Sequence, residues 1–168
     1  DLESLAKLPS VFARDGVQTA GNSSGIVDGA ASVIITNKSF LNEKGLKPLS
    51  RIVGSATSAI DPRVMGLGPV PAIKLVLELA GLTLNDIGLI EINEAFAAQF
   101  IGCERELGLN REICNVNGGA IALGHPLAAT GARLSLSISR EMNIRKVKYG
   151  IASACIGGGQ GTAILFEN

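Results

Sequence analysis

Cys155 opens the run Cys155-Ile156-Gly157-Gly158-Gly159-Gln160-Gly161, and the only histidine, His125, lies thirty residues earlier. His125 closes a second glycine-rich stretch, Asn115-Val116-Asn117-Gly118-Gly119-Ala120-Ile121-Ala122-Leu123-Gly124-His125-Pro126. A thiol and an imidazole, each on a flexible turn after an apolar run, could form a nucleophile with its base or a proton relay. Glycines after Cys155 free backbone N–H groups to approach a ligand. The competing reading of Cys155 is a buried structural thiol before a tight turn. For His125 it is a ring satisfied by nearby backbone. An imidazole at a helix N-terminus, as Pro126 suggests for His125, tends to be neutral because the positive dipole end disfavours imidazolium.

Other residues carry weaker signals. Asn93-Glu94 reads as a helix cap followed by a first-turn acid. Cys103 falls on an apolar helical face, and Cys114 stands at a strand start. Three cysteines without CxxC spacing and one histidine argue against a metal site, and none is predicted. The glycine run after Cys155 lacks the Lys-Ser/Thr and strand-to-helix setting of a phosphate loop.

The elements that must hold these residues follow from composition and punctuation. The chain has 168 residues and 46% hydrophobic content, enough for one domain with a real core. Aromatics are 4% and Trp is absent, so the core is Ala, Val, Ile and Leu. Such a core suits buried strands covered by helices. Fifteen basic and fifteen acidic residues cancel, with no basic block, which predicts no nucleic-acid partner. No apolar run reaches membrane-spanning length. The chain opens on Asp1 rather than Met, which fits a processed form, an engineered segment or a fragment.

Thr19 to Gly25 is a loop by composition. Strands are predicted over 32–36, 51–60, 86–92, 113–117, 147–155 and 162–166. Pro69 and Pro71 before an apolar run, with Gly81 after it, predict a helix over 72–80. A second helix runs from Asn93 to Leu107, with Phe96, Phe100, Cys103 and Leu107 on one face. A third spans about 126–142, with Leu127, Gly131, Leu134 and Ile138 on one face. From residue 51 onward, the alternation predicts a sheet between helices. Residues 1–46 stand outside that unit, and the strand near Ile34 has no partner in it.

Three blocks resemble the signatures of the thiolases, which are acetyl-CoA acyltransferases. They are Asn93-Glu94-Ala95-Phe96-Ala97-Ala98-Gln99, the run from Asn115 to Gly131, and Cys155 to Gly161. Thr19 to Gly25 and Met65-Gly66-Leu67-Gly68-Pro69 resemble further family segments. Lys7-Leu8-Pro9 and Ser153-Ala154-Cys155 look most like the mitochondrial 3-ketoacyl-CoA type. The resemblance implies an α/β fold, a layered α-β-α domain with a five-stranded mixed sheet over 47–168. It makes 1–26 the tail of a CoA-covering loop domain and 27–46 the last strand and linker of the N-terminal domain.

The resemblance also implies a reaction and its parts. A 3-ketoacyl-CoA is cleaved by free CoA, or the reverse condensation runs. Cys155 matches the acid/base cysteine, and His125 the histidine that activates a separate nucleophilic cysteine. Asn93 matches the holder of an oxyanion-hole water, and the Gly157 N–H a donor of the other hole. Ser24 and Ala20 match positions along the pantetheine, with Met65, Ala95 and Phe96 lining its tunnel. Phe12 and Ser4 match the nucleotide end. CoA and its thioesters are substrates, with no tightly bound cofactor. The implied partners are the N-terminal half and further copies, as a homodimer or homotetramer. The implied compartment is the mitochondrial matrix, with the cytoplasm as alternative. Two features depart from the family: Ala128 replaces a usual glycine, and the nucleophilic cysteine has no match here. They leave a non-catalytic CoA-binding or assembly module as the second expectation. A self-contained Cys-His hydrolase is a distant third, because nothing suggests an orienting third group.

Overall fold

The computed structural model describes residues 1–168. Four strands form one mixed sheet: β1 (Arg51–Ala59), β2 (Leu89–Ile92), β3 (Tyr149–Ile156) and β4 (Gln160–Glu167). Their spatial order is β1-β4-β3-β2. β2 and β3 pair in parallel, and β4 pairs antiparallel with both β3 and β1. The hairpin-forming strand therefore lies inside the sheet, between β3 and β1. Near the chain ends, α1 (Leu2–Ala6) and α2 (Lys38–Lys44) are short and bury nothing.

Helices cover both faces. α3 (Pro69–Ala80) starts at its prolines and stops at Gly81, which adopts φ 65 as the left-handed cap. Its Ala72, Ile73, Val76 and Leu77 are buried against Ile90, Ile92, Ile151, Ala163 and Leu165 of the sheet. α4 (Ala97–Leu107) adds Phe100 and the fully buried Cys103 to the same layer. On the opposite face, α6 (Thr130–Arg145) packs Leu134, Ile138 and Met142 against Leu89, Ala152 and Phe166. Between α4 and α6 lies one further turn, α5 (Ala120–Leu123). Strand alternation thus splits the sheet residues between two apolar layers.

Several expectations are corrected. The sheet has four strands, not five. The predicted strand over 113–117 reduces to one parallel bridge, between Ile90 and Cys114. Asn115 ends it by taking φ 45, a left-handed conformation. Its side chain then replaces the missing rungs: Ile92 N–H donates to Oδ1 at 2.9 Å, and Nδ2 donates to the Ile92 carbonyl at 2.9 Å.

The second helix starts at Ala97, so Asn93 does not cap it and Phe96 stands before it. The third starts at Thr130. Residues 126–129 form a tight turn instead, with the Ala129 and Thr130 N–H groups both donating to the Pro126 carbonyl. Leu127 consequently points away from the buried face and is exposed. Residues 32–36 form no strand, because no other segment of this chain pairs with them, and Ile34 is 93% exposed.

Candidate functional site

Asn93 follows the last residue of β2, and its N–H donates to Ser153 O on β3 at 2.9 Å. That bond carries the strand register to the start of the site, two residues before Cys155. Asn93 is 1% exposed. Its Nδ2 lies 3.3 Å from His125 Nε2, while its Oδ1 is buried without a hydrogen-bond partner. An orphaned buried acceptor is costly, so its retention points to use by a bound donor.

The imidazole is held on its other side by Thr130. The Thr130 hydroxyl donates to Pro126 O at 3.0 Å and lies 2.7 Å from His125 Nδ1. With its proton already given to the carbonyl, Thr130 accepts from Nδ1–H. The ring is then the Nδ1–H tautomer, and Nε2 keeps its lone pair, facing Asn93. Burial, and then the positive charge of Arg133, hold the imidazole below its usual range, which favours this neutral form.

His125 is fixed by main chain as well. Its N–H donates to Gly25 O at 2.9 Å, and Ile26 bridges to it in parallel. The segment 19–26 continues to the opposite wall, where Ser24 N–H donates to Ala95 O at 3.0 Å. Ser23 bridges to Phe96 there. This loop, legible as a loop from its composition, therefore ties the two signature blocks together. Thr19 stabilises its first turn, Ala20–Asn22, by accepting from Gly21 N–H.

Cys155 sits near the end of β3, opposite Gly161 of β4. Burial pushes its thiol up from the ordinary range. No hydrogen bond joins it to His125. The sequence pair is thus connected through β2–β3 pairing and Asn93, and not by a hydrogen bond. After Cys155 the glycines divide their work. A Cβ at Gly161 would lie 1.9 Å from Gly68 O, and one at Gly159 would lie 2.3 Å from Ile60 O. Those two allow close backbone packing. At Gly157 a Cβ would meet nothing within 4 Å, and its N–H is unbonded, so it can donate to a ligand.

An open cleft of about 590 Å³ adjoins the site. Phe12, Met65 and Phe96 line it together, with Gln18, Arg63 and Gln99. Phe12 and Phe96 meet edge to face at 5.6 Å between centroids. Ala95 is buried behind them, and its N–H donates to Gln99 Oε1 at 3.1 Å. Ser24 lies beside Ala95, and Ala20 is exposed on the same loop. Ser4 stands apart, on α1, with its N–H bonded to Asp1. Ala128 is exposed in the turn after His125 and does not require a positive φ, so its methyl is accommodated.

Sequence reasoning passed over Thr130 and Gln99 and read Glu94 only as a first-turn acid. Glu94 Oε2 accepts from Ile121 N–H at 3.1 Å and so anchors the turn that leads into His125. An acid in the Asn93-Glu94 pair was visible, but its partner twenty-seven residues away was not. Thr130 could have been suspected from its position five residues after the only histidine.

Comparison with known proteins follows the same blocks. Residues 46–168 match the thiolase C-terminal domain, and residues 1–39 match the thiolase N-terminal domain. The mitochondrial 3-ketoacyl-CoA thiolase of Homo sapiens is 52% identical over 167 residues, covering 99% of this chain and 42% of the relative. An acetyl-CoA acetyltransferase of Syntrophomonas wolfei is also 52% identical over 167 residues, covering 98% of this chain and 42% of the relative. The chain therefore spans less than half the length of these relatives. Among solved structures, the Bacillus anthracis acetyl-CoA acetyltransferase superposes with a TM-score of 0.97 at 48% identity, covering 99% of this chain and 42% of that one. Human mitochondrial 3-ketoacyl-CoA thiolase in complex with CoA gives 0.94 at 49%, covering 100% and 43%.

Proposed function

This chain belongs to the thiolase family, and from that premise we propose that it supplies the acid–base half of a thiolase site. In this reading a 3-ketoacyl-CoA loses an acetyl unit as acetyl-CoA. The shortened acyl group passes to CoA through a cysteine on the N-terminal half. The C–C bond breaks to leave an enolate on the acetyl-CoA fragment. Cys155 gives its proton to that carbon, and the same thiolate takes a proton in the reverse condensation. His125 Nε2 removes the proton of the nucleophilic thiol and donates to the thioester oxygen. Asn93 Oδ1 holds a water that points a hydrogen at an oxyanion, and the Gly157 N–H serves the other oxyanion.

One observation carries the reading. His125 is anchored at Nδ1 by Thr130, so its Nε2 lone pair faces Asn93, whose Oδ1 stays unpaired. A base whose tautomer is fixed and a buried acceptor without a partner are what proton transfer beside a polarised oxygen requires. The cleft lined by Phe12, Met65 and Phe96 suits an extended apolar-walled thioester arm. Residues 1–26 would cover that arm, and 27–46 would complete a sheet of the N-terminal half. A homodimer or homotetramer, and the mitochondrial matrix, extend the reading from the mitochondrial relatives; bacterial relatives of equal identity set the cytoplasmic alternative. The exposed, unstrained setting of Ala128 gives no support to a non-catalytic module.

The test supplies the N-terminal half of a relative in trans and follows acetoacetyl-CoA cleavage. Thiolysis is expected only with both halves present, and is lost on Cys155→Ala or His125→Ala. Activity that survives either substitution, or that this chain shows alone, defeats the proposal.

A further inference from the structure

The cleft has two walls that come from different parts of the chain. Ala95 and Phe96, between β2 and α4, form one, and Ser24 N–H donates to Ala95 O from outside it. The other is the turn Pro62–Leu67, which brings Met65, Gly66 and Leu67 to the cleft. Gln99 and Cys103, one turn apart on α4, stand between the walls and are 7% and 0% exposed. A line of hydrogen bonds runs through their side chains. Ala95 N–H donates to Gln99 Oε1 at 3.1 Å, Gln99 Nε2 donates to Cys103 Sγ at 3.8 Å, and the Cys103 thiol donates to Gly66 O at 3.3 Å.

Two ordinary roles compete. Gln99 is the third residue of α4, from which a side chain can reach back to an N–H ahead of the helix. A buried cysteine is often only a small hydrophobe. Neither role needs the contact between the two residues or the bond to Gly66. Every donor in the line points the same way, so each bond polarises the next. That direction requires Cys103 to keep its proton, and burial pushes its thiol up to about 11. Glycines let the turn sit directly on α4: a Cβ at Gly66 would lie 2.9 Å from Gln99 Cγ, and one at Gly102 would lie 2.8 Å from Leu67 Cδ2.

We infer that Gln99 and Cys103 are positioning residues: a hydrogen-bonded strut that sets the spacing of the Ala95–Phe96 and Met65–Gly66 walls for a thioester arm. The inference rests on the proposed use of this cleft by a CoA thioester. Without the strut the walls are joined there by apolar packing alone. The arm must then order them as it binds, which costs affinity.

The 168-residue chain is titrated with acetyl-CoA, and binding is followed through NMR shifts of the cleft residues. Cys103→Ala and Gln99→Met break the line with little change of volume and are expected to weaken binding roughly three- to tenfold. Cys103→Ser puts back one donor and one acceptor at the same place and is expected to return affinity toward wild type. A space-filling cysteine predicts the opposite order, because serine buries a hydroxyl where alanine buries a methyl. The inference is overturned if C103S binds no better than C103A, if Q99M binds as wild type does, or if C103S does not fold. Should C103A not fold, the comparison of C103S with Q99M takes its place. A wild-type chain that binds no acetyl-CoA overturns it as well. Thiolysis with the N-terminal half in trans tests the family reaction by itself, so failure of the strut and failure of the thiolase reading are separable.

Discussion

Asn115 offers the sharpest test of how this site is held. Its side chain makes the only edge bonds of Ile92: Oδ1 accepts from the N–H and Nδ2 donates to the carbonyl, each at 2.9 Å. Ile92 is 0% exposed and immediately precedes Asn93. Replacing Asn115 with glycine keeps the left-handed φ of 45 accessible but leaves both Ile92 groups unpaired. A buried, unsatisfied donor or acceptor costs about 1–3 kcal/mol, so with two groups unpaired N115G should lose roughly 2–6 kcal/mol of stability. Alanine removes the same bonds and adds strain, because a left-handed residue with a Cβ costs about 1–2 kcal/mol more. Urea unfolding followed by circular dichroism reads this as a lower midpoint with an unchanged slope. The order wild type, glycine, alanine is the expected result. An N115G midpoint equal to wild type, or an alanine variant as stable as glycine, would refute the claim that this side chain replaces a strand.

Two further outcomes follow from the geometry. Gly161→Ala places a Cβ 1.9 Å from Gly68 O and should cost about 1–3 kcal/mol or more, whereas Gly157→Ala meets open space and should stay within about 0.5 kcal/mol; thermal unfolding of the two variants side by side checks the contrast. Glu91 titrates at about 7 in the fold against an ordinary 4.5, so the native state binds its proton more tightly and stability falls as pH rises between those values. That interval corresponds to roughly 3 kcal/mol lost above pH 7. Glu91→Gln should remove this loss, and unfolding free energies at pH 5 and pH 8 that change equally in both proteins would rule it out.

What could be read in advance had local punctuation. α3 was visible because proline and glycine mark its two ends. The β3–β4 hairpin was visible because a glycine run separates two apolar stretches. The insertion of β4 between β3 and β1 was not visible, since pairing Ala56 with Ala163 is a long-range choice that no local pattern encodes. The missing fifth strand had the opposite problem. Residues 113–117 have strand composition, and only the left-handed turn at Asn115 breaks it. Asn93 shows how one residue type serves two purposes. Asparagine is favoured at caps and equally suited to present a buried acceptor, and only the position of Phe96 before α4 decides between them. Thr130 escaped because fixing a tautomer depends on where a hydroxyl proton goes, which spacing alone does not reveal.

The same reasoning bears on the two chemistries first open to Cys155 and favours the proposed acid–base role. A nucleophilic cysteine is a thiolate, stabilised by a nearby cation or by an imidazole that takes its proton. Cys155 has neither. Burial pushes its thiol up, His125 makes no hydrogen bond to it, and the ring is turned toward Asn93 and Thr130. A thiol that stays protonated at neutral pH is a poor attacking group, yet it still holds a proton to give to a far more basic carbanion. A carbanion formed beside it would be quenched, and the open Gly157 N–H next to it could hold the oxygen on which the charge first develops. The neutral imidazole, in turn, keeps an unprotonated Nε2, which faces Asn93 Nδ2 at 3.3 Å and makes no hydrogen bond to a thiol of this chain. On the proposed reading the two groups serve different steps of one transfer, with His125 Nε2 placed to act on a thiol supplied by the N-terminal half.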